Sequence, residues 1–102
     1  MAKVKGDTKS KVEKEYQKDK KNGTKTDNHS TQNGGSLKRK GKANSSRDLK
    51  DPSTGEVKQR RYYDKNGNAD MDIDYTNHGN PKQHPKVPHR HNWKNGIRGK
   101  DY

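Results

Sequence analysis

The 102-residue sequence predicts a small α+β or mostly β fold, in which a disordered basic N-terminal half precedes a minimal β-hairpin module with a Pro/His-rich covering segment. Three observations lead there. Leu, Ile, Val and Phe total only eight residues, while 37% of the chain is charged; a chain far below roughly 20% in these four residues cannot bury enough apolar surface to order its whole length. The cations are concentrated early: residues 1–50 hold 15 Lys and Arg against six Asp and Glu, and residues 51–102 hold ten against seven. Finally, residues 57–75 alternate apolar and acidic side chains after Asn66-Gly67, the pattern of a half-buried hairpin.

These numbers also exclude functions. Cysteine is absent, which removes disulfides, thiolate zinc sites and a cysteine nucleophile. No apolar run reaches ten residues, so neither a membrane-spanning helix nor a signal peptide is expected. A formal net charge of +12 draws the chain to polyanions: nucleic acid, an anionic membrane face or an acidic partner protein.

In chain order, residues 1–50 read as a disordered basic arm and linker, with a possible short helix over 9–21. There Val12 and Tyr16 stand four apart, one apolar pair rather than a docking stripe. The stretch 22–46, rich in Gly, Ser, Thr and Asn, reads as a solvated linker, and its His29 as incidental. Within it Lys38, Arg39 and Lys40 form a basic cluster, either a phosphate-tracking patch or a merely solubilising one. Pro52 and Gly55 mark a turn, after which a C-terminal hairpin/His-rich module spans 54–99.

Asn66-Gly67 is expected to form a two-residue type I′ turn. It would set Tyr62 beside Met71 and Arg60 beside Ile73 on the apolar face. Tyr63 would face Asp70, Arg61 face Asp72 and Gln59 face Asp74 on the other. Asp70, Asp72 and Asp74 would then line one face about 7 Å apart. That arrangement suits a solvated outer surface, a cation site or a general base. Asp74 is the functional candidate, because it adjoins the histidine segment.

That segment, residues 78–93, holds His78, His84, His89 and His91 interleaved with Pro81, Pro85 and Pro88. Proline stiffens the backbone without regular structure. Imidazoles exchange protons near neutral pH, so one histidine as base and another as acid suffice to cleave RNA through its own 2′-hydroxyl, with no cofactor. Arg61, Lys82, Arg90 and Arg98 are the cations that would counter the phosphate charge. The alternative is zinc held by His89 and His91 with His78 or His84. Trp93 reads as an anchor closing this segment onto Met71, Ile73, Tyr75 and Val87, or else as a base-stacking platform.

The run RRYYDKNGNADMDIDY followed by TNHGNPKQHPKVPHRHNW resembles the C-terminal toxin domains of bacterial polymorphic toxin systems, also found on phage proteins. The likeness covers Arg60–Trp93. It implies a small effector acting on nucleic acid, in the bacterial cytoplasm or secreted, with a cognate immunity protein. Its motif positions carry over as candidate active-site residues: His78, His84, His89, His91, Asp72 and Asp74. The competing expectation is a non-enzymatic basic nucleic-acid-binding accessory protein of a phage or mobile element.

Overall fold

Straight-chain Lys, Glu and Gln, all good helix formers, dominate the N-terminal residues. In the computed structural model, which describes residues 2–75 and 88–102, they form helix α1 (Ala2–Asn22). The helix ends where Gly23 takes φ +75° and Thr24 N–H returns to Asp19 O at 2.9 Å, a Schellman closure. Six strands follow: β1 (Asn28–Asn33), β2 (Ser45–Lys50), β3 (Val57–Tyr63), β4 (Ala69–Asp74), β5 (His89–Lys94) and β6 (Ile97–Asp101). They make one sheet in the order β1-β2-β3-β4-β5-β6, antiparallel except for the parallel pair β1–β2. Among the described residues no helix is long and apolar enough to cross a membrane.

The expected disordered basic half is therefore corrected. Residues 1–50, read as a disordered arm and linker, supply α1 and two of the six strands, and the sheet continues without a break into the hairpin. Apolar burial does not hold β1, whose residues are Asn, His, Ser, Thr and Gln. Backbone pairing holds it, together with side-chain bonds from Arg47 to Ser30 and Gln32. Of the Pro/His-rich segment expected to cover the hairpin, residues 78–87 lie outside the described residues. Its C-terminal residues, His89–Trp93, are regular strand and extend the sheet.

The β3–β4 hairpin departs from expectation in an instructive way. Gly67 alone of the Asn66-Gly67 pair has positive φ, and Asp64 N–H bonds Asn68 O, so the loop has three residues, 65–67. That shifts the ladder by one, pairing Tyr63 with Ala69. A bulge then follows, with Asp70 as the extra residue, and it shifts the ladder back. Beyond it Tyr62↔Met71, Arg60↔Ile73, Arg61↔Asp72 and Gln59↔Asp74 stand as predicted. The two-residue turn with positive φ at both positions is instead Asn95-Gly96, between Lys94 and Ile97.

The sheet has two unlike faces. On one, Tyr62, Met71 and Ile73 pack with Tyr16 of α1, and Tyr75 closes the edge. The Tyr16 and Tyr62 rings meet edge to face at 6.3 Å. Val12 stays exposed, so one aromatic rather than a stripe docks the helix. The helix end is held by sheet side chains: Arg90 donates to the carbonyls of Lys20 and Lys21, Arg60 to Gly23 and Tyr62 to Thr24. Cations at the negative end of the helix dipole suit this geometry. The other face carries Arg61, Asp72, Asp74, His89, His91 and Trp93, and the β1–β2 connection (34–44) crosses part of it.

Candidate active site

The second face is built around a buried carboxylate. Asp72 is fully buried and accepts Arg61 Nε at 2.7 Å and Nη2 at 2.9 Å, Gln59 Nε2 at 2.9 Å and Arg98 Nε at 3.0 Å. Such a charge survives burial only because it is paired and saturated with donors. Arg61 completes its own bonding through the carbonyls of Leu37 and Lys38, which straps the connection to the sheet. Trp93 lies under the same guanidinium, 4.7 Å from ring centre to Cζ. This corrects its expected place on the apolar face, where Tyr16 sits instead.

Beside this network the pairing Asp74↔His89 and Asp72↔His91 brings two imidazoles and a second carboxylate together. Asp74, His89 and His91 are all buried, and each offers one ligand-type atom within 4.8 Å of the others. The histidine rings meet at 70° with centroids 5.2 Å apart. His89 Nε2 lies 3.5 Å from Asp74 Oδ2, and Arg98 Nη2 lies 3.9 Å from the same oxygen. His91 Nδ1 is 2.9 Å from Gly99 O. A carbonyl only accepts, so Nδ1 carries the hydrogen and, in the neutral ring, Nε2 keeps a lone pair. That Nε2 is buried with no hydrogen-bond partner among the described residues. The three residues can hold a metal ion or move protons.

The remaining predicted residues disperse. His78, His84 and Lys82 lie outside the described residues. Arg61 is locked into the Asp72 network, and Arg90 points to the opposite face, where it caps α1. Arg98, with its side chain 34% exposed, is the predicted cation that reaches Asp74. Asp70, expected on the acidic face, is turned by the bulge toward α1, where it accepts Tyr16 Oη at 2.7 Å and Lys20 Nζ at 2.9 Å. Burial, reinforced by this carboxylate, pushes the Tyr16 phenol well above its ordinary range. Lys38 and Lys40 line a cavity of about 540 Å³; Arg39 and Lys40 line another of about 500 Å³ that includes Trp93.

His29, read as incidental, belongs to a network on the helix face. Its Nδ1 lies 2.6 Å from Ser46 Oγ, and its Nε2 lies 3.2 Å from Asp48 Oδ2. The second contact is in ion-pair range, but the ring N–H is not aimed for a hydrogen bond. Asp48 takes Arg60 as a bidentate partner at 2.7 and 3.0 Å, which holds that guanidinium protonated well above its usual range. Burial lowers the pKa of His29, against the pull of Asp48. The Ser46, His29, Asp48 sequence has the donor order of a nucleophilic triad. Ser46 is fully buried, however, and Thr26 N–H and Oγ1 already occupy its Oγ at 3.0 Å, so the network packs β1 and offers no nucleophile.

Comparison with protein-family models, with curated proteins and with solved structures finds no match to this chain.

Proposed function

We propose that the chain is a toxin-like effector domain that cleaves RNA without a metal, with His91 and His89 as the proton-transfer pair. His91 Nε2, whose lone pair is set by the Nδ1–Gly99 bond, takes the proton of a 2′-hydroxyl. The 2′-oxygen bonds to phosphorus, the P–O5′ bond breaks, and protonated His89, oriented by Asp74, delivers a proton to the leaving 5′-oxygen. Arg98 supplies positive charge at the phosphate, and substrate enters from its partly exposed side. A cognate immunity protein is the partner such an effector implies. The observation that carries this reading is the convergence of two imidazoles and a carboxylate within 4.8 Å on one sheet face.

The second reading is a divalent ion, zinc foremost, held by Asp74, His89 and His91. It is favoured by the buried Nε2 of His91, whose ring is fixed through Nδ1 as imidazole ligands are. Bound zinc would act as a Lewis acid or a structural staple.

Labelled RNA and DNA incubated with the protein, with and without EDTA, separate these readings. The proton-transfer reading expects RNA cleavage that EDTA leaves intact and that His89→Ala/His91→Ala lowers about 10²-fold or more. Cleavage abolished by EDTA and restored by zinc moves the assignment to the metal. Loss of folding on chelation makes the metal structural. Binding without cleavage in any condition overturns the enzyme and leaves a nucleic-acid-binding accessory protein.

A further inference from the structure

We infer that the β1–β2 connection is a phosphate-binding track, and that the groove beneath it seats the backbone of a single-stranded polynucleotide. This deepens the reading of nucleic acid as substrate and rests on it. The groove, about 540 Å³, lies between residues 38–42 and the ends of β1, β2 and β3. Lys38, Lys40, Lys42 and Arg47 line it, against one acid, Asp27. None of these four cations forms an ion pair among the described residues, in contrast to Arg60, Arg61 and Arg98, each of which is matched to a buried carboxylate. Arg47 is nonetheless oriented, with Nε on Gln32 and Nη1 on Ser30.

The track is rigid although its lysine side chains are in solvent. Arg61 and the Tyr63 hydroxyl hold the Lys38 carbonyl, Ala69 N–H takes the Arg39 carbonyl, and Gly41 N–H donates to Gly67 O. Gly41 lies flat on the Tyr63 ring: a Cβ there would come within 2.9 Å of it. A backbone pinned at residues 38, 39 and 41 presents Lys38, Lys40 and Lys42 from a held loop, so less ordering entropy is lost on binding. Lys40 lines this groove and also the second cavity, which reaches Trp93. Along β5, Trp93, His91 and His89 follow on one face at steps of about 7 Å. The track therefore leads toward the histidine pair.

The test uses the full chain and a fluorescent 2′-O-methyl RNA 20-mer, which keeps every phosphate but cannot be cleaved through a 2′-hydroxyl. Its outcome is thus independent of the cleavage mechanism. Anisotropy titrations across salt concentration compare Lys38→Ala/Lys40→Ala/Lys42→Ala with Lys11→Ala/Lys14→Ala/Lys18→Ala, a control of equal charge change on exposed α1 positions. The track variant is expected to bind on the order of tenfold more weakly, with a salt slope shallower by about 2. The helix variant is expected to change little. Equal losses in both variants, or no loss in the track variant, overturn the assignment. Circular dichroism verifies that both remain folded.

Discussion

Around β4 the two faces of the sheet solve the same problem by opposite means. On the helix face Tyr16, Tyr62, Met71 and Ile73 exclude water in the ordinary apolar way. On the other face Asp72, Asp74, His89 and His91 are as deeply buried, and Arg61 with them. Adjacent residues of one strand, Met71 and Asp72, therefore belong to two kinds of interior. A chain with so few aliphatic residues has one apolar layer to build with and completes the second with matched charge and hydrogen bonds. The apolar layer is tolerant of small changes in shape. The ionic layer is not, because removing one partner strands the others.

The sharpest way to break this comparison is Asp72→Ala. It leaves the Arg61 guanidinium buried and uncompensated and is expected to cost about 3–5 kcal/mol in urea unfolding. A loss under about 1 kcal/mol would place the network with exposed ion pairs instead. Its neighbour, Met71→Ala, removes apolar volume from the other layer. Here about 2–5 kcal/mol is expected, with little dependence on salt. Tyr16→Phe keeps the docked ring but deletes the bond to Asp70. A loss of about 0.5–1.5 kcal/mol, read as reduced helical signal at intermediate denaturant, would show that the hydroxyl helps dock α1.

The smallest effect concerns pH. Burial lowers the pKa of His29 in the fold, while the unfolded residue titrates near 6.5. As pH falls, the unfolded chain binds this proton first. The stability contributed by neutral His29 is therefore complete above about pH 6.5 and declines as pH drops through the lower, folded value. His29→Gln should flatten that part of the profile in thermal melts between pH 7 and 5. An unchanged profile would assign the slope to other groups.

Much of the hairpin was legible in the sequence. Alternation from Met71 to Tyr75 and the nearby Asn-Gly located β4 and gave the Arg61–Asp72 pair, and the crowding of histidines pointed to His89 and His91. What was not legible was order without apolar residues. β1 reads as linker because its side chains are polar, and its stability comes from backbone pairing and from Ser46, Arg47 and His29. Binary patterning has no signal for a buried Asp48 matched to Arg60, nor for the complete burial of Asp72. Two local signals in the sequence do mark element ends: Gly23 after a lysine-rich helix, and Asn95-Gly96, which joins β5 and β6 as a hairpin. Size and apolarity place Trp93 on the apolar face, but its ring packs on a guanidinium, which hydrophobic patterning does not encode.

The odd-numbered loop at 65–67 and the bulge at Asp70 offset each other, and this constrains how the segment can change length. A single deletion in the loop or at Asp70 leaves Tyr62↔Met71 and the pairs beyond it in place, whereas a deletion beyond Asp70 would carry the carboxylates of β4 beneath the helix and turn its thioether and sec-butyl groups to the reverse, since a single-step slip inverts a strand. Natural variants of this ribbon should therefore change length at 65–67 or at Asp70, and not between Met71 and Asp74.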